Sequence, residues 1–314
     1  MTMARARGAR EGFALAFESV YGTSPGANFL TMPFITNGLS SDRPLLEDDI
    51  LGTRDPGDHA LDVSTVDGDL SVPLDCEAMG GWLKATFGAP TTTENTGVYT
   101  HVFQSNAWAL PSFTAERMFP DVASYHLFTG CMVDRLQVAL QRGGLASATV
   151  GVIGQAVAKS GSSSAGTPSA FTMKRFTHGH GQISIDGSPV GNVVRAGFDY
   201  RNNLDRVDTI TGDANIAGLD PLRTSLAMDL VIRFDSETLF SKAVSGTPVA
   251  LSYALTRSAD EKLTLAAARV FLPEPRVVTD GPGGLQATFS AMASRESDGD
   301  PMLTATLING VSAY

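Results

Sequence analysis

The stretch Leu226-Ala-Met-Asp-Leu-Val-Ile-Arg-Phe234 decides the fold class, because its apolar residues recur at every second position. Successive side chains of a β-strand point to opposite faces, so this pattern predicts a strand with one buried face. The same alternation recurs in residues 70–74, 99–103, 136–140, 249–255, 285–291 and 303–307. Half-buried strands are typical of antiparallel sheets, and the sequence therefore predicts an all-β fold with a few short helices.

The quoted stretch has a counterpart 160 residues earlier in the chain. Residues 69–79 match 229–239, and residues 48–52 match 208–212, at one common offset. We therefore predict two tandem β-sandwich or barrel-type domains, residues 1–158 and 171–314, that arose by internal duplication. Residues 159–170 are rich in Ser and Gly, which is typical of a linker or loop.

Each copy is predicted to carry one flanking helix. Asp75 precedes the first, at residues 77–87, and Asp235 precedes the second, at residues 237–244. An aspartate at this position can accept hydrogen bonds from the free N–H groups of the first turn. Gly88 and Gly246 follow the two segments and fit a left-handed helix stop.

Composition narrows the function classes. Charged residues make up 18% of the 314-residue chain, below the roughly 25% of typical globular proteins, which favours burial against neighbouring chains. The net charge of −10 argues against a tight nucleic-acid binder. No apolar run reaches the roughly 18 residues of a membrane-spanning helix, and no membrane partner is expected. Cys76 and Cys131 are predicted to be core thiols.

The motifs of catalysis are missing from the sequence. It contains no P-loop, no Gly-x-Ser-x-Gly elbow and no Ser-x-x-Lys pair, and His178-Gly-His180 has no nearby Cys, Asp or Glu to complete a metal site. We therefore predict no enzyme activity, no cofactor and no metal. Trp82 and Trp108 are predicted to pack in the core. Had they been exposed together, they would suit the main alternative of another class, a carbohydrate-binding β-sandwich or a glycosidase.

The N-terminal region resembles one group of phage tail tube proteins. Residues 18–25, Glu-Ser-Val-Tyr-Gly-Thr-Ser-Pro, match the "Glu…Tyr-Gly-Thr-x-Pro" opening of that group. An apolar segment at 29–35, the stretch 50–55 and the strand-to-helix run 66–88 then follow in the same order. This resemblance implies domains whose sheets join into a closed barrel, six domains to a ring, with rings stacked into a tube that delivers the genome.

The resemblance also implies partners and contact residues. With two domains per chain, we expect trimeric rings with pseudo-sixfold symmetry, and hexameric rings as the competing arrangement. Further expected partners are the tape measure protein, the tail terminator and the tail-tip or distal tail proteins, with double-stranded DNA passing without specific binding. The protein would reside in the virion tail after assembly in the host cytoplasm. The tube of a related injection machine (a gene-transfer particle, a tailocin or a secretion system) is an alternative.

Two long polar segments, residues 36–58 and 199–221, are expected to reach neighbouring subunits. The resemblance implies that such loops bridge rings. The predicted inter-ring contacts are Asp42, Arg43, Asp48, Arg54, Asp55, Arg201, Asp205 and Arg206. Two acids that alternate with apolar neighbours, Asp69 and Asp229, are candidates to face the lumen of the tube.

Overall fold

Antiparallel strands form most of the chain, which confirms the all-β fold class. The computed structural model describes residues 5–47, 52, 54–210, 212–233, 237–275, 277–278 and 285–314. Within these ranges the chain forms two α-helices, α1 (Met79–Phe87) and α2 (Thr238–Ser245). The expected few short helices are therefore confirmed too.

The strands up to residue 160 are β1 (Gly12–Phe17), β2 (Leu30–Thr31), β3 (Thr36–Asn37), β4 (Ser40–Asp42), β5 (Leu45–Leu46), β6 (Ala60–Leu61), β7 (Thr65–Pro73), β8 (Thr91–Asn95), β9 (Val98–Gln104), β10 (Phe113–Phe119), β11 (Ser124–Leu140), β12 (Ser147–Gly154) and β13 (Ala156–Ser160). The later strands are β14 (Ser169–Ala170), β15 (Gly181–Ile185), β16 (Ser188–Pro189), β17 (Val193–Arg201), β18 (Leu204–Val207), β19 (Gly218–Pro221), β20 (Ser225–Arg233), β21 (Val249–Ser258), β22 (Glu261–Phe271), β23 (Val277–Val278), β24 (Gln286–Ser294) and β25 (Thr304–Asn309).

One continuous sheet passes through both halves of the chain. Its strand order is β4–β7–β12–β11–β17–β20–β24, and we call it the long sheet. A second layer, the covering sheet, has the order β8–β9–β25–β22–β21–β15, and the end of β22 also pairs with β24 of the long sheet. The third, N-terminal sheet has the order β14–β2–β1–β10–β11–β13. The apolar sides of all three bury one common core.

Strand β11 belongs to two sheets because its direction changes at Gly130. Its first half pairs with β10 and β13 in the N-terminal sheet, and its second half pairs with β12 and β17 in the long sheet. Gly130 has φ +62°, and an added Cβ would lie 2.7 Å from the Cβ of Gln155. Only glycine fits this left-handed, crowded position, so the change of sheet depends on it.

The two tryptophans have different environments. Trp82 on α1 is buried between two phenylalanines. Its ring stacks on that of Phe13 and meets that of Phe113 edge-on, with 6.2 Å between ring centroids in both pairs. Its predicted core packing is confirmed. The same prediction is wrong for Trp108, which is 79% exposed. It lies in the loop between β9 and β10, outside any strand that would turn it toward the core.

The helices begin and end close to the predicted positions. Helix α1 begins two residues later than predicted, but Asp75 does accept hydrogen bonds from the N–H groups of Glu77 (2.9 Å) and Met79 (3.2 Å). At Gly88 the backbone has φ +97° and ψ −173°, because the chain turns directly into an extended segment. Gly246 has the predicted left-handed conformation after α2. Asp235 lies outside the described residues.

Cys76 and Cys131 are buried free thiols, as predicted. Burial raises the pKa of the Cys76 thiol to about 12 and raises that of Cys131 as well. Both thiols therefore stay protonated near neutral pH, which makes them poor nucleophiles.

The Ser-rich segment between the two halves packs against the first half. The carboxylate of Glu116, itself fully buried, accepts hydrogen bonds from the hydroxyl of Ser163 (2.6 Å) and the backbone N–H groups of Ser164 (2.6 Å) and Ala165 (3.1 Å). Strand β14 then pairs with β2, in parallel. These contacts hold the middle and the end of the segment to the N-terminal sheet.

Candidate functional site: a polar sheet face and two hairpins

The long sheet has one buried apolar face and one exposed polar face. Asp69 on β7 and Asp229 on β20 both lie exposed on the polar face. Asp229 lies opposite Ser290 of β24, whose hydroxyl donates to its carboxylate at 3.3 Å. Three strands, β12, β11 and β17, separate the two aspartates. The structure thus brings the two lumen candidates onto one continuous surface.

An ion pair at the middle of the polar face joins the two halves of the chain. Arg135 on β11 donates two hydrogen bonds, of 2.8 and 2.6 Å, to the carboxylate of Asp199 on β17. Arg201 adds a third contact at 3.2 Å. Burial acts to raise the pKa of Asp199, but the hydrogen bonds from both arginines outweigh it and hold the pKa below its usual range. The carboxylate is therefore ionised at neutral pH.

Each of the two predicted polar segments contains strands of a β-hairpin, and strand β6 of the first hairpin lies just beyond residue 58. Strands β5 and β6 form the first hairpin, and β18 and β19 form the second. They immediately precede β7 and β20, so both leave the long sheet at the same end. Their sequences carry no apolar alternation, which is the signal that identified the other strands.

The predicted inter-ring residues are distributed over these hairpins and their flanks. Asp42, Arg43, Arg54, Asp55 and Asp205 are exposed. The Nε atom of Arg43 donates to the backbone oxygen of Asp62 at 2.6 Å. Asp48 lies outside the described residues. Arg201 and Arg206 both form ion pairs within the chain.

The second hairpin lies against the first half of the chain. Arg206 contacts the carboxylate of Asp67 at 2.5 Å, and the backbone N–H of Ser64 donates to the oxygen of Ala214 at 2.7 Å. At the base of the hairpin, the N–H of Leu204 donates to the carboxylate of Asp134 at 2.8 Å. The hairpin therefore crosses the rim of the long sheet from β17 to β7.

The first hairpin exposes apolar side chains. Leu45, Leu46, Leu61 and Val63 are 63%, 49%, 56% and 58% exposed. In the pairing of β5 with β6, Leu45 lies opposite Leu61, so these two share a face. Adjacent exposed leucines and valines on a two-stranded arm are typical of a surface that another element covers.

Arginines gather at the opposite end of the long sheet. Arg142, Arg195 and Arg233 line a cleft of about 850 Å³, and none of the three has an ion-pair partner among the residues that the structure describes. His178 lies in the same cleft, and burial lowers its pKa. The cationic character of this end therefore comes from the three arginines.

The described residues contain no group of three His, Cys, Asp or Glu side chains placed to hold a metal ion. His178 and His180 belong to a short 3₁₀ turn, and the ring of His180 accepts a hydrogen bond from the N–H of Thr177 at 3.1 Å. Over the described ranges, neither α-helix has the length and apolar character needed to cross a membrane.

Glu18 is the organising residue of the N-terminal motif. Its carboxylate accepts hydrogen bonds from the N–H of Gly22 (2.8 Å), the hydroxyls of Ser112 (2.7 Å) and Thr114 (2.7 Å), and the N–H of Gly130 (2.9 Å). It thus fixes the turn after β1 to the point where β11 changes sheets. No local pattern in the motif indicates this role, because three of the four partners are distant in the chain.

Layered antiparallel sheets, exposed hairpins and a charged sheet face define the architecture of an all-β protein. The family of phage tail tube proteins matches residues 8–293, and the chain belongs to this family. It is accordingly a structural component of the phage virion tail, which assembles with copies of itself into a tube and associates with other tail components. No curated protein sequence matches the chain.

Proposed function

We propose that three copies of this chain close a ring with pseudo-sixfold symmetry, and that stacked rings form the conduit through which the genome enters the host. The observation that carries the proposal is the long sheet, which runs through both halves and ends at β4. Among the described strands, β4 pairs with β7 alone. An unpaired edge strand is a template for pairing with another chain, and closing the sheet around a ring removes the edge.

The internal duplication is supported by equivalent strands at the offset of 160. β7 and β20 are both nine residues long and are separated by that offset. Each is followed by a helix, α1 or α2, and each pairs with a later strand, β12 or β24. We therefore propose two tube domains, residues 1–158 and 171–314, so that three chains supply the six domains of one ring.

The polar face of the long sheet is proposed to line the lumen. Asp69 and Asp229 would then present carboxylates to the passing double-stranded DNA, which they repel. Two arginines of this face, Arg135 and Arg201, are paired with the carboxylate of Asp199. A wall of this kind lets DNA slide without specific binding, because release of counterions by free cations is what holds DNA to a protein.

Stacking of rings is proposed to bring opposite charges together. The hairpin end of the long sheet carries Asp42, Arg43, Arg54, Asp55 and Asp205 of the proposed inter-ring residues, and Asp48 remains a proposed contact. The other end carries the three arginines of the cleft. Contact between two unlike ends does not close on itself, so it generates a filament. The tape measure protein inside, and the terminator and tail-tip proteins at the ends, are the further proposed partners during assembly in the host cytoplasm.

End-on electron microscopy of the purified protein tests the proposal. Threefold rings with a six-lobed outline are expected. Sixfold rings with peripheral lobes would agree with a tube but would overturn the proposal that each chain contributes two domains to the ring. A chain that stays monomeric at high concentration, together with particles that still form when its gene is deleted, would overturn the proposed function.

A further inference from the structure

The second hairpin, β18–β19, contacts the first half of the chain. It crosses the rim of the long sheet and places Arg206 on Asp67 of β7. Its backbone is also tied to the first half through the hydrogen bond between Ser64 and Ala214. In this contact the hairpin of one half is bound to the other half by both side-chain and backbone interactions.

The duplication assigns an equivalent to each member of this contact. At the offset of 160, Leu46 of the first hairpin corresponds to Arg206, and Ala227 of β20 corresponds to Asp67. An ion pair inside the chain thus corresponds to two apolar residues. Both are exposed, and Ala227 lies opposite Met292 of β24, which is 71% exposed.

The order of strands in the long sheet indicates which molecule provides the surface on which the first hairpin docks. In the second half, β17 lies between β20 and β11, and the second hairpin extends over β11 toward β7. In the first half, the equivalent of β17 is β4, which pairs with β7 and with no further described strand. The surface over which the first hairpin would extend must therefore come from another molecule.

We propose that the hairpin β5–β6 of each chain docks on the second half of the next chain in the ring, with Leu46 packed against Ala227 and Met292 of that second copy. This inference rests on the proposed ring and names its lateral contact. The two kinds of junction in the ring then differ in chemistry, since the contact within a chain is ionic and the contact between chains is apolar.

Replacing the apolar contact between chains by an ion pair tests the docking of the first hairpin. Leu46→Arg places a cation against Ala227 and Met292, and Ala227→Asp places an anion against Leu46, so each single variant should lose rings in sedimentation velocity. The double variant recreates the Arg206–Asp67 pair between chains and should regain them. Val122→Arg, at an exposed apolar residue in the turn between β10 and β11, is the control and should form rings normally.

Cross-linking measures the contact without disturbing it. Leu46→Cys chains mixed with Ala227→Cys chains should give a covalent dimer on oxidation, because a disulfide needs Cα atoms within about 7 Å. Mixing Leu46→Cys with Thr93→Cys, on the exposed edge strand β8, should give none. The native thiols are buried and do not compete.

The outcomes separate this inference from the proposed function. Wild-type rings together with intact rings in both single variants, or with no cross-link in the mixture, would overturn the docking contact and leave the tube in place. A wild-type chain that forms neither rings nor tubes would overturn the proposed function and the docking contact together.

Discussion

Individual carboxylates hold this fold at points where elements meet. Asp75, Glu18 and Glu116 each accept hydrogen bonds from backbone or hydroxyl donors, and Asp75 and Glu116 are fully buried. Capping explains Asp75 from the sequence alone. The partners of Glu18 and Glu116 come from remote strands and loops, so no local pattern could have identified them.

Asp75 makes a specific contribution to the pH dependence of stability. Burial raises its pKa to about 6, against hydrogen bonds from Met79 and Glu77 that lower it. The folded protein therefore binds a proton more tightly than the unfolded chain, whose aspartates titrate near 4. Stability from this group is full below pH 4 and is lost as the pH rises through 6, by roughly 2–3 kcal/mol.

Asp75→Asn should remove that loss, because the amide oxygen still accepts the two N–H bonds and carries no charge. Urea unfolding between pH 4 and 7 should show a flatter profile than wild type, with equal or greater stability at pH 7. Asp75→Ala loses the bonds as well and should be less stable than Asp75→Asn by about 1 kcal/mol. A wild-type profile that rises from pH 4 to 6 in comparison with Asp75→Asn would contradict the assignment.

Glu18 should be among the most sensitive residues of the N-terminal region. Glu18→Gln replaces one acceptor oxygen with a donor and should cost about 2 kcal/mol, and Glu18→Ala should cost more because four donors lose their acceptor. Thermal or urea unfolding measures both. The exposed neighbour provides the control, since Ser19→Ala should stay within about 0.5 kcal/mol of wild type. Equal stability of all three variants would show that Glu18 is not the organising residue.

At the scale of elements, alternation of apolar residues predicts the half-buried strands well. The surface hairpins and the division of a strand between two sheets depend on pairing with distant strands. The pattern identified β7, β20 and β24, and the capping residues identified both helices. The hairpin β18–β19 could not be predicted this way, because Leu219 is the one buried residue in its two strands and a single buried residue gives no alternating pattern. The division of β11 between two sheets depends on strands from three other regions, and Gly130 alone does not reveal it.

The junction of β11 with β17 should depend on Arg135. Arg135→Met leaves the carboxylate of Asp199 with Arg201 alone and should cost about 1.5–3 kcal/mol. Hydrogen exchange should accelerate at the amides of β17 more than at those of β25. Arg195→Met, at an arginine of β17 that does not contact Asp199, is the control. Uniform acceleration in all strands, or none, would contradict a local role.

Acid should weaken the same junction. The folded pKa of Asp199 is lowered, so its stabilising effect is present above about pH 4, the usual value for an unfolded aspartate, and is lost as the pH falls through the folded value. Arg135→Met should therefore differ from wild type at pH 7 and converge with it in strong acid. A difference that persists unchanged at low pH would show that Arg135 acts by packing.

At the scale of the whole molecule, charge is separated between the two ends of the long sheet. Arg195→Glu with Arg233→Glu should leave rings intact and shorten or abolish tubes in electron micrographs. Tubes of the wild type should also shorten as salt increases, because the screening length falls from about 10 Å at 0.1 M to about 3 Å at 1 M. Lys159→Glu with Lys262→Glu, on β13 and β22, reverses the same number of charges and is the control. Normal tubes in the double variant would exclude the arginine cleft from stacking.

The pairing of β11 with β17, which joins the two halves of the chain, has a kinetic consequence for assembly. This junction lies within one polypeptide and forms when the chain folds, independently of protein concentration. In a ring of three such chains, half of the six junctions are already made before any two molecules meet. Only two associations then lose translational and rotational freedom, where six separate domains would require five, because the last junction of a ring closes within an existing assembly. A covalently paired subunit thereby lowers the concentration at which rings nucleate, without strengthening any single contact between chains.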